Sequence, residues 1–148
     1  MLNKLLATKD DFSTTTLRVT LGVVMFPHGA QKLLGWFGGH GFSGTMHHFT
    51  ETMGIPYLFA LLAVLAESFG ALGLIAGLFT RVAAFGIGAT IGVAALMGHV
   101  KYGFFMNWFG TQAGEGFEYH LLVIGMALAL VIAGGGRWSL DRLIAHKS

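Results

Sequence analysis

Apolar residues fall in four long runs along the chain, broken by brief polar punctuation and by two longer loops. The runs cover about residues 14–34, 56–79, 82–98 and 117–133. A helix crossing a hydrocarbon core of about 30 Å needs about 20 mainly apolar residues, and the first two runs reach that length. The third and fourth lie near the lower limit, so they should stand upright or end in thinned, wet regions. Only Thr80 and Arg81 separate the second run from the third, which requires a tight antiparallel hairpin. The expected fold class is an all-α membrane protein. It would form a single domain over residues 1–148, a four-transmembrane-helix bundle with a tail at 137–148.

The loops carry a pattern of their own. Residues 35–42 read Gly-Trp-Phe-Gly-Gly-His-Gly-Phe, a flexible aromatic stretch suited to a membrane interface. Ser43 is placed to cap a short helix that Gly54 and Pro56 would end. Met46, Phe49 and Met53 would share one face of it, which predicts an interfacial helix in the first outer loop. Phe104, Phe105, Trp108 and Phe109 make a matching aromatic patch in the second. Beyond the fourth run, Gly134, Gly135 and Gly136 stop the helix, Trp138 sits at headgroup level, and Ser139 starts a basic tail helix.

Composition narrows the class. Hydrophobic residues make up 54% of the 148 and charged residues only 11%, too few to clothe a soluble domain. That balance excludes an ordinary soluble domain, a disordered chain and a nucleic-acid binder. With no cysteine there is no disulfide, thiol nucleophile, thiolate metal site or Fe–S cluster. Lys4, Lys9, Arg18, Arg81, Arg137, Arg142 and Lys147 fall on one side of the bundle, against Lys32 and Lys101 on the other. The basic-rich side belongs in the cytoplasm, so both termini are expected inside and loops 35–55 and 99–117 outside, in a multi-pass inner-membrane protein. The N-terminus lacks a signal peptide's basic start and small-residue cleavage site, so the first run is expected to persist in the mature protein.

Small residues mark how the helices should meet, because the hydrophobic effect does not drive association in lipid. Gly22 and Gly29 share a face of the first run, Gly73 and Gly77 lie at GxxxG spacing in the second, Gly88 and Gly92 in the third, and Gly125 serves the fourth. Intramembrane charge is more telling, since a charged group at the bilayer centre costs at least ~2.5–3.5 kcal/mol. Glu67 lies roughly 16 Å deep in its run, near the midplane. Arg18, one turn inside the other end of the first run, differs from it in depth by roughly 8 Å. Three readings of Glu67 stay open. It forms a structural ion pair with Arg18, it gates a proton or quinone path, or desolvation keeps it neutral.

Six of the seven histidines (His28, His40, His47, His48, His99 and His120) fall on the outer half. Wheel positions point His99 along the glycine seam and place Glu118 on one face with Gly125, while His120, about 200° from Glu118, points elsewhere. The expected interior set is His28, Gln31, Lys32, His99 and Glu118, with Glu67 beneath. A buried histidine beside a carboxylate suits proton exchange near neutral pH. His28, His99, Glu67 and Glu118 are thus the catalytic candidates, and Gln31, Lys32 and His28 the candidates for a quinone or anion pocket. His47 and Glu51, at i, i+4 spacing, are the metal-ligand candidates. Their spacing is nonspecific, and a solvated interfacial helix accounts for His40, His47 and His48 as well.

At this point the chain resembles the DoxX family of small four-helix bacterial membrane proteins. Arg18-Val-Thr-Leu-Gly22 followed by Phe26-Pro-His28-Gly29-Ala-Gln-Lys32 carries the likeness in the first run. Glu67-Ser-Phe-Gly70-Ala-Leu-Gly73 leading to Gly77-Leu-Phe-Thr80-Arg81 carries it in the second. Gly116-Phe-Glu118-Tyr119 and the tail Gly136-Arg-Trp-Ser139-Leu140-Asp141 extend it, with Gly70-Ala71 standing where many relatives have a Gly-Gly pair. The resemblance implies that Arg18, His28, Lys32, Glu67, Arg81 and Glu118 are motif positions. It also implies an accessory or quinone-interacting subunit of a membrane redox system, working with a redox partner protein. The family name derives from thiosulfate:quinone oxidoreduction, but without cysteine this chain has nothing to bind sulfur covalently. Two other classes compete: a non-enzymatic scaffold whose tail recruits a partner, and a small proton-coupled carrier that would have to act as a homo-oligomer.

Overall fold

A computed structural model describes residues 5–145, and every regular element among them is helical. The topological weights expected from Lys4 and Lys147 lie outside the described residues. Helix α1 spans Phe12–Leu34, and a short α2 spans Gly41–His47, continuing as a wider turn over His48–Thr52. Helix α3 is Tyr57–Ala76 and α4 is Thr80–Ala94, which runs on through irregular turns to Tyr102. Helix α5 is Glu118–Ala133 and a short α6 is Leu140–Ala145. The four long helices pack in a ring, each against the next, with α5 closing back on α1. Two stretches, Tyr57–Ala76 and Thr80–Tyr102, are long and apolar enough to cross a membrane, and Glu118–Ala133 is apolar but shorter.

The third apolar run is longer than expected because the helix continues past Gly98 to Tyr102. Thr80 and Arg81 open α4 rather than forming the turn, which is made by Gly77 to Phe79. Ser43 is not the cap of α2, since the helix begins at Gly41, with His40 at the capping position. Met46 is buried and Phe49 half-buried against Ala60 and Val64, so that face of α2 docks on the bundle instead of lying free.

Helices α1 and α3 run antiparallel with their backbones nearly touching. A Cβ at Gly29 would lie 2.5 Å from the Glu67 carbonyl oxygen, and one at Gly22 2.9 Å from that of Ala71. The Ser68 hydroxyl donates to the Gly29 carbonyl at 3.1 Å across this seam. Gly88 faces Ala127 between α4 and α5. Gly125 has nothing near the position of a Cβ and packs against no helix, contrary to expectation. Gly77 is not a seam residue either. It sits at φ +70° just past α3, where its own N–H reaches the Gly73 and Leu74 carbonyls, and a Cβ there would collide with Ser139 and the Arg18 guanidinium.

One end of the bundle gathers the segments before α1 and after α5, and there helix ends are capped by charged side chains from elsewhere in the chain. Arg18 is 2% exposed and, among the described residues, bonds to backbone carbonyls rather than to a carboxylate. It donates to the Leu74 and Ile75 carbonyls at 2.6 Å each, to Gly135 at 2.9 Å and to Trp138 at 3.4 Å. The expected Arg18–Glu67 pair is therefore absent. Seven residues, about 10 Å of helix, separate Glu67 from Leu74, and the guanidinium takes carbonyls at the end of α3 instead. Asp141 does the converse for α4, accepting from the Phe79 and Thr80 N–H groups at 2.6 and 2.8 Å. Arg81 donates to the Val131 and Ile132 carbonyls at the end of α5, and to Ala7. Asp11 caps α1 through the Ser13 and Thr14 N–H groups, both at 3.1 Å, a cap the sequence reading did not name, whereas Ser139 caps α6 through the N–H of Arg142, as expected. Outside this knot, hydrogen bonds from Arg142 and Arg137 hold the Asp10 carboxyl well below the usual carboxylate range, tying the tail to the N-terminal segment.

Removing the Arg18 guanidinium takes the donor from the Ile75 and Gly135 carbonyls, at ~1–3 kcal/mol for each that is left buried and unpaired, while Leu74 keeps the Gly77 N–H. Arg18→Ala is expected to lower stability by about 3 kcal/mol or more, and Arg18→Lys, with a compact ammonium in place of the fork, by less. Thermal unfolding in detergent measures both.

Candidate functional site

The opposite, loop end of the bundle holds the other buried charge. Packing at Gly29 and Ser68 sets the last turns of α1 against the middle of α3, and there Lys32 Nζ meets Glu67 Oε2 at 2.6 Å. Glu67 is 4% exposed, whereas Lys32 is only half-buried, its stem reaching inward from the rim. The buried carboxylate of Glu67 thus finds its cation on α1, but at Lys32 rather than Arg18.

A groove of about 1270 Å³ opens beside this pair. It runs between α3 and α4 from the loop end down to Phe79 and Val82, lined along its length by apolar side chains such as Leu62, Phe69 and Phe85. At the loop end it reaches through to α1 and α5, and its polar lining there includes His28, Lys32, Glu67, His99, Glu115, Tyr119 and His120. The His99 and His120 rings lie 4.1 Å apart, and Tyr119 meets His120 edge-on at 5.8 Å and His28 at 6.3 Å. His99 Nδ1 is held at 2.9 Å from the Glu115 carbonyl oxygen. Tyr119 donates its hydroxyl to Met25 Sδ at 3.6 Å. His28 is exposed on the groove side of α1 instead of facing the bundle interior.

Three other expectations change. Glu118 does not line the groove. Its Oε1 accepts from Met106 N–H and Trp108 Nε1, both at 3.2 Å, so it pins the second loop. Gln31 donates to the Phe37 carbonyl and borders a separate cavity of about 250 Å³ under the first loop, together with Lys32, His40 and His48. His47 and Glu51 are exposed, and among the described residues no three His, Asp or Glu side chains come together as a metal site.

The residue that sequence reasoning passed over is His120. Helix α5 turns His120, Val123, Ala127 and Leu130 inward, a spacing of three, four and three. That spacing was the available signal. It was masked because nearly every residue of α5 is apolar, so no polar face marks the outside, and Gly125 pointed to the wrong side.

With the geometry in place, comparison with known proteins decides the family. The DoxX family model matches residues 13–100, more than half of the chain. The chain belongs to the DoxX family. That span contains Arg18, His28, Lys32, Glu67 and Arg81, while Glu118 and the Ser139–Asp141 ending lie beyond it. The chain is also 32% identical to the inner membrane protein YqjF of Escherichia coli (strain K12), over 93% of its length and 96% of the relative's. No solved structure matches it. This DoxX protein is a membrane protein, with large apolar side chains such as Phe85, Leu96, Leu122 and Ile132 on its outside and Arg18, Glu67 and Asp141 within.

The ion pair is asymmetric, and its variants should show it. Lys32→Met strands a buried carboxylate and is expected to cost about 2–3 kcal/mol, below the value for a fully buried pair because Lys32 is part-exposed. Glu67→Gln frees Lys32 to extend into the loop cavity and should cost about 1 kcal/mol or less. The double variant Lys32→Met/Glu67→Gln should recover most of the loss of Lys32→Met, which a double-mutant cycle in thermal unfolding would measure.

Proposed function

We propose that this protein binds a membrane quinone in the α3–α4 groove as an accessory subunit of an inner-membrane redox system. The observation that carries the reading is the form of the groove. A long apolar channel ends in a compact polar wall where Lys32 and Glu67 already neutralise each other. An isoprenoid quinone has the matching shape, a neutral ring with two hydrogen-bonding oxygens and an apolar tail. The groove is larger than the ~300–1,000 Å³ of pockets for compact small ligands, as a tailed molecule requires. Tyr119 and the histidines offer groups that donate to or accept from ring oxygens. With no cysteine in the chain, the electrons would come from a partner protein.

In this reading all four long helices cross the inner membrane, where the relative's name also places YqjF. Both termini face the cytoplasm, where Arg81, Arg137 and Arg142 gather at one end. The quinone head then lies toward the outer face. A scaffold role is favoured by a different observation: Arg18, Arg81 and Asp141 are all spent on capping helices. Those three motif positions need no ligand to explain them, but Glu67, Lys32 and the groove remain.

Protein purified from native membranes should carry quinone in solvent extracts, and Lys32→Met/Glu67→Gln should carry several-fold less. A quinone-free preparation, with Glu67→Gln as stable and functional as the parent, would count decisively for the scaffold. The missing cysteines make topology easy to test. Thr111→Cys should react with an impermeant thiol reagent in intact spheroplasts, and Leu143→Cys only after lysis. The reverse pattern would invert the proposed orientation.

A further inference from the structure

The Glu67 carboxylate uses only one of its two oxygens inside the protein. Lys32 Nζ takes Oε2 at 2.6 Å, while Oε1 has no hydrogen-bond partner among the described residues. The side-chain atoms there that are both enclosed and without a partner are Thr80 Oγ1 and His120 Nδ1. Oε1 is not one of them, so it keeps accessible surface although Glu67 as a whole is 4% exposed. That surface belongs to the groove, which Glu67 lines, and not to the cavity under the first loop, which it does not line. Neighbouring donors are engaged elsewhere, His99 Nδ1 with the Glu115 carbonyl and the Tyr119 hydroxyl with Met25 Sδ. A buried oxygen that opens on an apolar groove is matched by a donor on whatever occupies the groove.

We propose that Glu67 Oε1 accepts a hydroxyl of the bound ligand, so that the groove selects quinol over quinone, an assignment that rests on the quinone-binding reading above. An ionised carboxylate oxygen has lone pairs and no proton to give. A quinol presents an O–H to it and forms a charge-assisted hydrogen bond. The carbonyl of a quinone presents further lone pairs instead, and two acceptors face to face give up water without a bond in return. Lys32 already neutralises Glu67, so the ligand has to bring a donor and no charge. The phosphate of a phospholipid would meet Oε1 as a like charge.

The test is equilibrium binding of decylubiquinol and decylubiquinone to the full chain in nanodiscs of phosphatidylcholine, whose head group has no N–H to donate. Without cysteine, the chain has no thiol or disulfide for the reductant that maintains the quinol to alter. The quinol should bind about tenfold tighter than the quinone. Glu67→Gln, whose amide both donates and accepts, should bring that ratio to about one. Equal affinities in the parent overturn this assignment and leave the quinone reading standing. A quinol preference that survives in folded Glu67→Gln also overturns it, because another group then reads the hydroxyl. Absence of binding of either form to the parent overturns both the assignment and the quinone reading. If Glu67→Gln does not fold, the Glu67 carboxylate carbon of the parent, labelled with 13C-glutamate, should shift with quinol and hold its position with quinone. The same response to both bound ligands rejects the contact.

Discussion

A helix that ends inside or against a bilayer leaves its last carbonyls and first amides with no water to receive them. Much of this structure follows from meeting that constraint at the end where the tail folds over the helices. Arg18 from α1 receives the end of α3, Asp141 from the tail opens α4, and Arg81 from α4 receives the end of α5. Each capping group comes from a different segment than the helix it caps, so the caps also interlock the bundle. The sign of each charge follows the helix dipole, cations at C-terminal ends and a carboxylate at an N-terminal end.

The loop end meets the cost of buried charge differently. There a carboxylate is answered by an ammonium whose stem comes in from the rim, and the pair stands at the wall of a groove instead of inside a packed knot. The knot at the terminal end leaves its charges no freedom. The loop end retains hydrogen-bonding capacity, most plainly at Glu67 Oε1. The loop end thus keeps polar side chains along an open groove, whereas Arg18, Arg81 and Asp141 at the other end cap helices.

Arg18 shows why a correct cue in the sequence led to a wrong partner. Its burial in the first run was legible, as was the need to satisfy it. A sequence displays ionisable side chains, however, and hides the orphan carbonyls at helix ends, so Glu67 looked like the natural answer. Glu118 and His120 were misjudged for a related reason. Wheel angles relate residues within one helix, but they do not say which face turns inward when nearly all of α5 is apolar. The Glu118 side chain at the first residue of α5 was also free to turn out to the loop.

The sequence by itself determined the all-helical class, the helix bodies to within a few residues, the Gly22–Gly29 face of α1 and the presence of costly intramembrane charge. These follow from hydrophobic run length and from local preferences that act along the chain. Only the tertiary structure decided that Lys32 answers Glu67, that Arg18, Arg81 and Asp141 cap helices other than their own, and that His120 faces the groove. Each depends on the backbone approach at Gly29 and Ser68 or on how the tail folds over the helix ends, distances of a few ångströms between residues far apart in sequence.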